Sequence, residues 1–107
     1  MEKKIKVFVK NPGQVPHMEI VDNTLEALQK IVDGYIEVVQ PFKDMALIVN
    51  EEGIILDMPY NCTYLGTMFF GPMVFAGVKG EDFASVPMSL KDFKEINISL
   101  WEKEALA

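Results

Sequence analysis

The stretch Asn23-Thr24-Leu25-Glu26-Ala27-Leu28-Gln29-Lys30-Ile31-Val32-Asp33-Gly34-Tyr35-Ile36-Glu37-Val38-Val39 writes a short helix, its stop and the following strand. Asn23 is a good N-cap, and Glu26, three residues on, is its capping-box partner. Leu25, Leu28 and Ile31 or Val32 recur at helical spacing, which predicts that Leu25 and Leu28 face a sheet. Gly34 stands where a helix C-terminus wants a left-handed residue. Tyr35, Ile36, Val38 and Val39 are strand formers. A helix of about ten residues from Thr24 to Asp33, running straight into a strand, sets an α+β frame.

Working outward, Ile5 to Lys10 alternates as a first strand. Asn11-Pro12-Gly13 is a turn, and Val15 to Val21 a second strand whose Pro16 confines its start to an edge. These two form a hairpin. Tyr35–Gln40, Met45–Asn50 and Ile54–Leu56 read as an antiparallel meander, with Gly53 at positive φ in the Glu51-Glu52-Gly53 turn. Asp57 to Thr67 reads as a loop with a helical turn after Asn61. Met68 to Val78 reads as one buried strand bent near Gly71. Phe83 to Val86 is a last short strand. Ser89, with Asp92 three residues on, opens a C-terminal helix whose stripe is Leu90, Phe93, Ile96, Leu100 and Trp101. The expected fold is a single α+β domain over residues 1–107: an antiparallel or mixed sheet of about six strands with two helices packed against it.

The chain has 107 residues, 50% of them hydrophobic, enough for a core without metals or disulfides. No apolar run approaches the roughly 18 residues of a membrane span. The start, Met1-Glu2-Lys3-Lys4-Ile5-Lys6, alternates like a strand and no cleavage site follows, so it reads as a native N-terminus. The lone Cys62 suits a reducing compartment and a structural role. The expected location is the bacterial cytosol.

Net charge is −6, and all 10 basic residues are lysines. Arginine supplies the fork that clamps phosphates and reads guanine. Without it, and with an acidic balance, direct nucleic-acid binding is not expected. AT-rich coding, which favours lysine codons, accounts for the bias.

Catalytic motifs are missing. His17 is the sole histidine, so any His-based pair, triad or metal site has a single member. It reads as a solvent-facing edge residue. The carboxylates are scattered, with no EF-hand spacing, and Gly77-Val78-Lys79-Gly80 lacks the P-loop pattern. No cofactor and no metal site are implied. What remains is a concentration of methionines and aromatics between Met45 and Met88, a composition of cores and of adaptable binding surfaces alike. Within it, the irregular segment Met58–Met68 is the candidate contact surface, with Met58, Tyr60, Asn61, Tyr64 and Met68 as its residues. Tyr60 and Tyr64, four apart, would share one face of a helical turn.

The run from Asn23 to Gln29, then Gly34-Tyr35-Ile36-Glu37-Val38-Val39, Asn50-Glu51-Glu52-Gly53, Pro59-Tyr60-Asn61 and Phe70-Gly71-Pro72 … Gly77 resembles the family filed as domain of unknown function 3846. The resemblance covers Ile5 to about Phe93. It implies a small protein of bacteriophages, prophages or plasmids of low-GC Gram-positive bacteria, and it implies no particular activity. The expected function is a non-enzymatic binding protein. It would inhibit a host protein or sequester a small-molecule ligand, in a counter-defence setting; a homodimer is a further arrangement. The rival readings are an acidic DNA mimic and a small carboxylate-based enzyme. Clustering of Glu19, Asp22, Glu37, Asp44, Glu51 and Glu52 on one face would favour the mimic, and a deep pocket with two convergent acids the enzyme.

Overall fold

Strands that are apolar on both faces need cover on both sides. Three strands here are of that kind. The computed structural model describes residues 2–102, and in it they are β1 (Lys4–Lys10), β4 (Met45–Asn50) and β7 (Met73–Lys79). Met1, where the sequence reading places the native start, lies outside the described residues. With β2 (His17–Asp22), β3 (Ile36–Phe42) and β8 (Asp82–Ala84) they make a six-stranded sheet in the order β2-β1-β7-β4-β3, with β8 beside the far end of β7. Every pairing in it is antiparallel. The fold is the expected α+β arrangement.

Alternation along the strands sorts the core into two halves. Ile5, Val7, Val9, Ile48, Val74 and Ala76 face one way and meet Leu28 and Val32 of helix α1 (Leu25–Val32). Phe8, Met45, Leu47, Met73 and Phe75 face the other way, under helix α2 (Leu90–Ile96), a 3-10 turn over Ile98–Trp101, and a separate hairpin of β5 (Tyr60–Tyr64) and β6 (Thr67–Phe70). The Phe93 ring stands 4.8 Å from Phe8 and 4.9 Å from Phe75. Each such aromatic pair adds about 0.5–1.5 kcal/mol beyond the area buried. The two helices therefore lie on opposite faces of the sheet.

Several local expectations change. The α1 cap is Thr24, whose Oγ1 accepts from Ala27 N–H at 3.2 Å. Asn23 instead donates to the carbonyls of Glu2 and Phe83, tying the helix start to β8. Leu25 is 52% exposed while Leu28 is 1% exposed, so only Leu28 of the two packs into the core. At the other end Asp33 takes the left-handed conformation, φ 59°. Gly34 follows at φ 154°, where a Cβ would stand 2.6 Å from Asn50 Nδ2. Both the positive φ and that close approach favour glycine there.

The meander has two strands, not three: Ile54–Leu56 lies in a run of turns after β4, and Gly53 does not take a positive φ. The stretch from Met68 to Val78 is broken at Gly71-Pro72 into β6 and β7, which belong to different sheets. The expected loop from Asp57 to Thr67 is largely the β5–β6 hairpin, with no helical turn after Asn61. Its alternation is masked by a bulge between Tyr60 and Cys62. Finally, α2 ends before Trp101. Asn97 leaves the helix and turns its side chain inward, so Ile96 is exposed and Leu100 re-enters the core from the 3-10 turn.

Candidate functional site

The bulge in β5 decides which residues of the Met58–Met68 segment are available to a partner. It turns the neighbours Asn61 and Cys62 both inward, and Tyr64 follows, while Tyr60 and Thr63 stay outside. Asn61 is buried between layers. Its Oδ1 accepts from Lys10 Nζ at 2.8 Å, and its Nδ2 donates to the carbonyls of Lys10 and Gly71, each at 2.8 Å. Lys10 is 0% exposed. Burial holds its ammonium below the ordinary lysine range, with Cys62 acting in the opposite direction. Burial pushes the Cys62 thiol up, with Lys10 opposing. Tyr64 Oη donates to Asn97 Oδ1 at 2.6 Å, and burial, helped by Cys62, pushes its pKa up to about 12.

A lysine and a thiol side by side are ingredients of nucleophilic chemistry. Here both are enclosed, and the hydrogen bonds around them join β1 to the hairpin. Asn61 and Tyr64 are thus core residues that hold the layers together, and the expectation of a surface tyrosine pair gives way to one inward ring and one outward ring. Sequence reasoning missed Lys10 and Asn97 because a lysine in a strand and an asparagine in a helix both read as solvent-facing.

The outward residues form the accessible surface. Tyr60 Oη lies 2.6 Å from Thr63 Oγ1, and its ring meets Phe70 edge-on at 5.6 Å. Met68 is exposed, and Met58 is partly buried against Gly71. The hairpin tip is Leu65-Gly66, with φ of 50° and 81°. A bulky apolar residue in that conformation, exposed to water, is uncommon and favours neither the fold nor solubility. Beside the hairpin, Ile54, Ile55 and Leu56 are 72%, 80% and 54% exposed. Their turn is well ordered: Glu52 N–H donates to Asn50 Oδ1 at 2.7 Å, Leu56 N–H to the Glu52 carbonyl at 2.8 Å and Met58 N–H to the Gly53 carbonyl at 2.9 Å. Assigning these residues to a strand hid them as a surface feature. The signal was present, three consecutive aliphatics directly after an acidic turn.

A groove of about 210 Å³ joins the two features, lined by Glu37 and Val49, Glu51 and Ile54, and Thr67 through Phe70. A second groove of about 300 Å³ has Phe42, Met45, Met88 and Ile96 as apolar walls and Lys43, Asp44 and Asn97 as polar ones. His17 Nε2 sits 2.6 Å from Glu19 Oε2, half-exposed on β2. Glu19 and Asp22 are on β2, at the opposite end of the strand order from Glu37, Asp44, Glu51 and Glu52. By register Glu19 lies opposite Val7 on the α1 side of the sheet and Glu37 opposite Val49 on the other side, so these two acids do not share a face. Among the described residues, no three His, Cys, Asp or Glu side chains come together as a metal site, and no helix is long and apolar enough to cross a membrane.

Residues 5–97 match a family model described as Domain of unknown function (DUF3846). No curated protein and no solved structure matches the chain.

Proposed function

We propose that this chain, which belongs to the family of the Domain of unknown function (DUF3846), is a non-enzymatic binding protein acting by occupancy. Its contact surface is Ile54, Ile55 and Leu56, with Tyr60, Leu65 and Met68 of the hairpin. The observation that carries this reading is the exposure of three consecutive aliphatic side chains on a hydrogen-bonded turn. None of them belongs to either half of the core. Burying each in an interface would contribute roughly 1.5–3 kcal/mol, so a few of them suffice as anchors. The bacteriophage, prophage or plasmid setting implied by the resemblance makes a host protein the partner of choice, and inhibition or counter-defence the outcome.

The test is a pull-down from host lysate with the wild type, the double variant Ile55→Ser/Leu56→Ser, and His17→Ala. Retention by the wild type and by His17→Ala, with loss in the double variant at unchanged thermal midpoint, is expected. Loss in His17→Ala, or equal retention by all three, overturns the reading. Sequestration of a small molecule is the second reading, and the apolar groove of Phe42, Met45, Met88 and Ile96 favours it. A thermal-shift screen of metabolites that raises the melting point of the wild type and not of Met88→Glu would support that alternative.

A further inference from the structure

We propose that the groove between the β3–β4 ends and β6 takes an extended segment of a partner protein that carries lysine or arginine among apolar residues. The inference rests on the occupancy reading above and names the chemistry of the partner. The groove has apolar walls in Val49, Ile54 and Met68, and two carboxylates, Glu37 and Glu51, at its lining. Register explains why both acids reach it. Glu37 lies opposite Val49, and Glu51 N–H donates to the Tyr35 carbonyl, so Glu37, Val49 and Glu51 project from one face of the sheet. Glu37 and Glu51 are diagonal neighbours on that face, a relation that spaces strand positions roughly 7–8 Å apart, so their negative charges add at one place on the groove.

Among the described residues neither carboxylate takes part in an ion pair. The groove's lining residues include no lysine. From Asp44 to Val78 the chain carries Asp44, Glu51, Glu52 and Asp57 and no lysine. A cationic side chain from outside would offset that charge, and its aliphatic stem would lie along Met68 and Val49. The volume, about 210 Å³, suits one or two side chains. An extended backbone is favoured because, among the described residues, β6 pairs with β5 alone and leaves a strand edge along the groove. A second copy placed face to face would bring acids against acids, so charge argues for a basic foreign segment.

The test is selection from a displayed library of random nonapeptides against the immobilised wild type and against the charge-inverted variant Glu37→Lys/Glu51→Lys. The wild type should enrich peptides with Lys or Arg beside apolar residues, and the inverted variant peptides with Asp or Glu. A synthetic wild-type-selected peptide should bind Glu37→Gln/Glu51→Gln at least about tenfold more weakly, lose affinity as salt rises from about 50 to about 300 mM, and be indifferent to Glu81→Gln on a distant turn. Selection of the same peptides by both proteins, or no selection by the wild type, overturns the inference. Peptides without basic residues whose binding Ile55→Ser/Leu56→Ser abolishes would keep the occupancy reading and overturn only this one. A dimer in sedimentation that the inverted variant dissolves assigns the groove to a second copy, and also overturns it.

Discussion

Lys10 and Asn61 are bonded to each other twice, side chain to side chain and side chain to backbone, each at 2.8 Å. The first bond runs from the Lys10 ammonium to Asn61 Oδ1, the second from Asn61 Nδ2 to the Lys10 carbonyl. This clamp fastens the end of β1 to the start of the hairpin across two layers. Asn61 Nδ2 also serves the Gly71 carbonyl, at the break between β6 and β7.

Asn61→Ala should therefore destabilise strongly for a residue in a hairpin. It strips one partner from the buried ammonium and leaves two carbonyls without the amide that serves them, at about 1–3 kcal/mol for each group left unsatisfied. A loss of about 2–4 kcal/mol in urea unfolding is expected, against less than about 1 kcal/mol for the outward Tyr60→Ala. Equal effects would show that Asn61 does not hold the layers together.

Tyr64 makes a prediction in alkali. The folded chain holds its proton more tightly than the unfolded chain, with a pKa of about 12 against the ordinary 10.0. A raised value in the folded state contributes stability that is complete below about pH 10 and is lost as the pH rises toward about 12. Tyr64→Phe orphans Asn97 Oδ1 and should cost about 1–3 kcal/mol at neutral pH. The difference between the two proteins should shrink through that alkaline window, which isolates Tyr64 from Cys62 and Lys10. A constant difference in denaturation midpoints from pH 9 to pH 12 would refute the assignment.

The two leucines of α1 separate core from surface. Leu28→Ala should cost about 2–5 kcal/mol, as large-to-small core changes do. Leu25→Ala should stay within about 0.5 kcal/mol. Thermal or urea midpoints of the two variants decide it, and similar losses would contradict the packing described.

Gly34 and Asn50 should be coupled. Asn50 Nδ2 donates to the carbonyls of Val32 and Asp33 at 3.0 and 3.1 Å, closing the end of α1. A Cβ on Gly34 would displace that amide, so Gly34→Ala should cost about 1–3 kcal/mol. In an Asn50→Ala background the contact with the amide is gone and only the φ strain remains, so the same change should cost less, giving a coupling of about 1 kcal/mol in a double-mutant cycle. Simple additivity would place the cost in the φ of Gly34 alone.

The local grammar of the chain was legible without coordinates. Thr24 to Val32 repeats at helical period, with a stop signal in Asp33-Gly34. Ile5 to Val9 alternates at period two. Ser89 accepts from Asp92 N–H at 3.1 Å, as its spacing predicts. These features depend on neighbours a few residues away, so sequence alone carries them, and with them the α+β class. The tertiary structure decided what depends on distant partners. Whether Lys10 is solvated or buried turns on Asn61, fifty-one positions on. Whether Asn97 continues a helix or leaves it turns on the Tyr64 hydroxyl. The bulge that sends Tyr64 inward and Tyr60 outward has no local signature, because either register satisfies the hairpin until the sheet beneath selects one. The same holds for Ile54, Ile55 and Leu56. Three aliphatics in a row can be core or contact surface, and only the completed packing of β4, β6 and β7 without them leaves these three in water.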